Sequence, residues 1–142
     1  MKLATLLAAL FLMFMLYPPT LATQSIQKPE ALAQKSAEAW LALTDSGKYA
    51  ESWEEAASVF KSNVGKDQWV TMVGQVRNPL GKVVSRTFKS AKYTTSLPGV
   101  PDGQYVVIQF TTSFENKKDA VETITPMLDK DGKWRVAGYF IR

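Results

Sequence analysis

YVVIQFTTSF, residues 105–114, decides the fold of this chain: it is β-branched or aromatic at nearly every position and bounded by breakers on both sides. Such a run is a strand. Ahead of it LPGVPDG (97–103) supplies the glycine and proline torsions of a turn cluster, and behind it Glu115 to Asp119 form a polar loop. Working outward, Val83 to Tyr93 alternates as a strand should, and so does Ala120 to Leu128. Asp129-Lys130-Asp131-Gly132 then reads as a hairpin turn leading to a last strand, Trp134 to Ile141. Upstream of Lys82 the period changes from two to that of a helix. Pro29 and Glu30 open a first helix that Asp45-Ser46-Gly47 closes. A second is predicted from about Lys48 to Lys61, with Tyr49, Trp53, Ala56, Ala57 and Phe60 on one face. A third is predicted from about Lys66 to Arg77, with Trp69, Met72, Val73 and Val76 inward, although Gly74 weakens it. Three helices followed by a four-stranded antiparallel meander is an α+β arrangement.

The first 22 residues differ in kind from the rest. Lys2 precedes an apolar run, Leu3 to Tyr17, that carries no charge; Pro18 and Pro19 end it, and Thr20-Leu21-Ala22 offers small residues for a signal peptidase. The run is shorter than the roughly 20 apolar residues a spanning helix needs. A cleaved secretion signal over 1–22 is therefore expected, in place of a retained anchor, and it sends the mature chain to the periplasm or the medium. Residues 23–28 read as a flexible lead-in and 29–142 as a single domain. With no cysteine in the chain, no lipid anchor can be attached through one.

Composition excludes much chemistry. The chain has neither cysteine nor histidine, which removes thiol nucleophiles, Ser-His pairs, and thiolate or imidazole metal sites. No cofactor and no metal site is expected. Asp129-x-Asp131-Gly132 echoes the start of a calcium loop, but the twelfth position is Phe140 where a glutamate would be needed. The net charge of +4 comes from basic residues that look scattered along the sequence, with Lys117-Lys118 the only adjacent pair, so no nucleic-acid stripe is read.

The candidate site residues are aromatic and charged. Trp40, Tyr49, Trp53, Trp69 and Tyr139 could fill a core or line a pocket. Trp53, central to the second helix's apolar face, is expected to be buried against the sheet. Arg86 shares a strand face with Val84 and Phe88, and Glu122 shares one with Ile124. If both face inward they must pair. That leaves either a structural salt bridge or an acid–base or anchoring group at a pocket floor. Strand register decides, since a shift of one residue moves each to the other face. Gly138, within the last strand, suggests a bulge or a close backbone approach.

The arrangement of elements resembles the nuclear-transport-factor-2-like (cystatin-like) architecture, in which a curved sheet and the helices on one face enclose a cone-like space. AWLALTDSGKYAESWEEAASVFK (39–61), NPLGKVVSRTF (78–88), LPGVPDGQYVVIQFTTSF (97–114) and DGKWRVAGYFI (131–141) together resemble the bacterial family known as domain of unknown function 4019. That resemblance implies a bacterial exported protein, and it carries no catalytic or binding residues with it. Three functions follow as expectations. The first is a non-enzymatic binding module for a small apolar or amphipathic ligand or an envelope protein, with Trp40, Trp53, Arg86, Glu122 and Tyr139 at the site. The second is an enzyme using Glu122, with Arg86 or Tyr139 stabilising charge. The third is an interaction protein with a filled core.

Overall fold

The computed structural model describes residues 26–142; the expected signal segment, and with it the first half of the lead-in, lies outside the described residues. Four helices precede four strands: α1 (Pro29–Asp45), α2 (Tyr49–Glu54), α3 (Ser58–Asn63), α4 (Lys66–Leu80), β1 (Val83–Thr94), β2 (Tyr105–Phe114), β3 (Lys117–Leu128) and β4 (Trp134–Ile141). The strands form one sheet in the order β1-β2-β3-β4, every pair antiparallel. The fold is α+β, with the helices N-terminal to the sheet. Among the described residues no helix is long and apolar enough to cross a membrane.

The second expected helix is two. Ala57 is extended (φ −62, ψ 153), and its N–H donates to the Val136 carbonyl at 2.8 Å, where a continuing helix would have turned it inward. The Asp129 carboxylate then accepts the Ser58 N–H at 3.0 Å, capping the new helix from across the molecule. Two tertiary bonds thus outcompete the local period. The predicted apolar stripe shifts with the break: Ser52 is fully buried, whereas Tyr49 and Trp53 are only half-buried. The expectation that Trp53 is a core residue is corrected accordingly. In α4, Trp69 and Val73 face inward, but Met72 and Val76 are about half exposed, at 47% and 50%. The last buried position of that helix is instead Arg77, which continues the Trp69–Val73 row at a spacing of four. β3 begins three residues earlier than predicted. The β2–β3 turn is only Glu115-Asn116, and Asp119 takes φ 52 where the strand restarts.

Register places Val106, Ile108, Phe110, Thr112 and Phe114 of β2 on the helix-covered face, where all are buried. Arg86 pairs with Thr112, Phe110 with Glu122, and Ile124 with Tyr139, so these residues share that face. α1 lies against it through Ala33, Ala37 and Leu41, spaced by four and all inaccessible to solvent. Small side chains there let the helix approach closely. Gly138 lies beside the irregularity between Thr125 and Pro126, and a Cβ on it would meet nothing within 4 Å. It marks a bulge, with no close approach.

Candidate functional site

Sequence alone places two charges on strands; the structure joins them under the C-terminal end of α1. Glu122 is wholly buried and accepts three hydrogen bonds. Arg86 Nε donates to its Oε1 at 2.8 Å, the Thr112 hydroxyl donates to the same oxygen, and the Tyr139 hydroxyl donates to Oε2. The Arg86 guanidinium reaches further, with Nη1 and Nη2 donating to the two oxygens of Asp45 at 2.7 and 3.0 Å. Asp45 also accepts Arg77 Nη2 at 2.9 Å, and Arg77 Nη1 donates to the Thr44 hydroxyl at 3.2 Å. Arg77 lies over the Phe114 ring, 5.0 Å from its centroid, and its Nε has no partner. The chain Arg77–Asp45–Arg86–Glu122 alternates in sign along its length. It runs from the buried Arg77 through the solvent-exposed Asp45 and the half-buried Arg86 to the buried Glu122, and each buried charge has an opposite partner.

Burial opposes the charge on Arg86, but hydrogen bonds to Asp45 and then Glu122 outweigh it, and its pKa rises above the ordinary arginine value. The Tyr139 hydroxyl is raised well above the usual phenol range, first by burial and then by the adjacent Glu122 charge. Tyr139 therefore stays a donor throughout the physiological range. Both Glu122 oxygens are occupied by donors from the protein, and solvent does not reach them. The sequence left open a structural salt bridge or an acid–base group at a pocket floor; the contacts seen are those of an ion pair that bolts β1, β3 and β4 to α1.

Trp40, also expected at the site, is buried at the centre of an aromatic cluster. Its ring centroid lies 5.9 Å from Trp69 and 5.3 Å edge-on from Tyr139, and its Nε1 donates to the Ser52 carbonyl at 2.7 Å. One side of it borders a cleft of about 220 Å³ with Leu43, Glu55 and Trp134. Trp53 lies apart from this cluster. Its Nε1 donates to the Val64 carbonyl at 2.7 Å and Lys61 sits over its ring. Of the five residues expected at one site, then, Arg86, Glu122 and Tyr139 are brought together, Trp40 touches them through Tyr139, and Trp53 does not.

A second cavity, of about 250 Å³, opens between α4 and the edge strand β4. Trp69, Met72, Val73 and Val76 form one wall, and Tyr139, Phe140 and Ile141 the other. Its rim holds three of the chain's exposed large hydrophobics, Met72, Val76 and Phe140. Reading Met72 and Val76 as core had hidden this groove in the sequence. Among the described residues no group of three or more Asp and Glu side chains is arranged to hold a metal ion.

Fold and site define a small α+β protein whose sheet is fastened to its helices by a partly buried ionic cluster, with an apolar groove at one edge. The model of the family described as a protein of unknown function (DUF4019) matches residues 36–139, and the chain belongs to that family. No curated protein matches the chain.

Proposed function

We propose that this protein is a non-enzymatic binding module of the bacterial envelope that holds a small apolar or amphipathic ligand in the groove between α4 and β4. The observation that carries this reading is the groove's lining, seven residues of which all are apolar or aromatic, with Tyr139 turned away into the ionic cluster through its hydroxyl. Ligand sites are concave and mostly apolar with few polar groups. The acid–base reading fares less well, because Glu122, its proposed carboxylate, has every oxygen engaged and none exposed. Export supports an envelope location and rests on Lys2, the apolar run and Thr20-Leu21-Ala22. The order of helices before an antiparallel meander supports a nuclear-transport-factor-2-like architecture. Native mass spectrometry of protein isolated from its host's envelope tests the whole reading. Denatured spectra are expected to give the mass of a chain starting at Thr23. Native spectra are expected to show a co-purifying small molecule that Val76→Asp, an exposed groove substitution, removes. A bare protein, or an adduct that survives in V76D, would overturn the groove assignment, and an intact Met1 would overturn export.

A further inference from the structure

The two edges of the sheet are defended differently. β1 carries Lys89 and Lys92 and two irregularities, between Val83 and Ser85 and between Phe88 and Ser90, features that guard an edge against strand addition. β4 is guarded only along its first half. There the outward carbonyls of Trp134 and Val136 accept the Ser36 hydroxyl at 2.7 Å and the Ala57 N–H at 2.8 Å. Further along, Val121 and Arg142 exchange both backbone bonds at 2.9 Å, so Arg142 and Phe140 bond inward to β3. By the alternation of an antiparallel ladder, Tyr139 and Ile141 then turn their N–H and C=O groups to the free edge. Among the described residues nothing bonds to those groups. Gly138 to Arg142 is therefore an open edge, and it is the part of β4 that borders the apolar groove.

That stretch is complementary to itself. A twofold axis through Phe140 sets Tyr139 of one copy opposite Ile141 of a second, outward groups against outward groups, so that each such pair exchanges both of its backbone bonds. Phe140, which shares the uncovered face of the sheet with Thr123, then meets its own counterpart; in the single chain it is 51% exposed. Arg142 falls opposite Gly138, where even an added Cβ would meet nothing within 4 Å, so its long side chain has room. No charge lies between Gly138 and Ile141 to oppose the approach. On the helix-covered face the axis joins Tyr139 and Ile141 of both copies into one floor, with the half-exposed Met72 and Val76 as a wall on either side. Each groove closes the open side of the other. The edge and these half-exposed side chains cover on the order of 400–500 Å² per copy, counting about 200 Å² for a whole aromatic side chain. A standard interface takes about 800 Å² per partner, so the pairing is weak by itself and is completed by what fills the joined groove.

We propose that two copies pair antiparallel through Gly138 to Arg142 of β4, about Phe140, and that the groove is one site shared between them, to which the second copy lends Ile141 and Val76. The inference rests on the groove's being the ligand site. Because the chain has no cysteine, single-cysteine variants report the pairing directly. Facing Phe140 Cα atoms lie about 4.5 Å apart in such a non-hydrogen-bonded pair, within disulfide reach. The two Ile141 positions are offset along the strands to about 9 Å, from a rise of about 3.4 Å per residue, and lie beyond it. Under air, F140C is expected to become a covalent dimer, whereas I141C and V84C, the latter 68% exposed on the guarded edge, stay single. F140D sets two carboxylates face to face and should lose the dimer in sedimentation velocity, with its melting temperature unchanged. F140C linking no faster than V84C, or F140D remaining dimeric, would overturn pairing at β4. I141C linking as fast as F140C would overturn the register. In native spectra of the parent isolated from its host, the adduct is expected on the dimer. An adduct carried by single chains would leave the ligand reading standing and overturn the shared site. A dimer with no adduct would overturn the ligand reading and leave the pairing.

Discussion

Glu122→Ala removes the acceptor for three donors while leaving the rest of the ionic cluster in place. Arg86 keeps both of its bonds to Asp45, so its charge remains compensated. Thr112 and Tyr139 do not fare as well: their hydroxyls lose the carboxylate in a region that water does not reach, at about 1–3 kcal/mol each. The expected cost is therefore about 3–5 kcal/mol, which is also the range for breaking a buried pair. Arg86→Met attacks the other end. It strands a carboxylate of zero exposure with two neutral donors, and should cost at least as much. Simple addition of the two would approach the whole stability of about 5–15 kcal/mol of a typical domain. The double variant should be far milder than that, because it leaves no charge alone: Asp45 retains Arg77. A coupling of about 2–3 kcal/mol is expected, within the range for residues sharing one network. Urea denaturation followed by tryptophan fluorescence reads all four corners of the cycle, with Trp40 packed against Tyr139 as the reporter. A loss under about 1 kcal/mol for Glu122→Ala, or strict additivity, would refute the view that the cluster bolts sheet to helix.

Two further outcomes follow from the described geometry. Trp40→Ala should cost about 3–5 kcal/mol, as for a large aromatic deleted from a core, whereas the half-buried Trp53→Ala should cost roughly 2 kcal/mol; equal losses in urea melts would contradict their different burial. Asp129 is opposed by burial but held below the usual aspartate range by the Ser58 and Lys130 N–H groups, and Asp131 is brought to about 2 chiefly by Arg135. Both are lowered on folding, so their contribution is present above the unfolded value near 3.8 and fades as pH falls toward about 2. Asp129→Asn should cost about 1 kcal/mol at neutral pH through the weakened cap on α3 and should flatten the acid limb of the Tm profile. Parallel profiles for parent and variant would dismiss that linkage.

The strands were legible because their signals are local. Alternation, the LPGVPDG cluster and the Asp-Gly hairpin fixed β2 and β4 to the residue. The helices were legible only where no distant group intervened. Ala57 and Ser58 fit a helical stripe, and only Val136 and Asp129, more than 70 residues away, draw their N–H groups out of it. No periodicity within 48–61 carries that information. Met72 and Val76 misled for a related reason: a helix's apolar stripe can be wider than the surface that covers it, and the uncovered margin is the groove.

The ionic cluster shows the same limit more sharply. Pairing of Arg86 with Glu122 could be anticipated once both were placed inward, because neither could be buried alone. Asp45 and Arg77 gave no such warning, since each sat where its type is ordinary: aspartate beside a Ser-Gly helix stop, arginine in a helix's last turn. A signal existed for Arg77. It continues the Trp69–Val73 row at i+4 and i+8, and a cation on a buried stripe needs an anion. With Glu122 assigned to Arg86, that anion had to come from elsewhere, and the end of α1 supplies it as Asp45. Counting the inward charges as a set that must sum to near neutrality, in place of pair by pair, shows that Arg77 and Arg86 need a second anion beside Glu122, the place Asp45 takes. The same accounting leaves Lys82, just before β1, and Lys89 and Lys92 within it as exposed charges that form no ion pair among the described residues.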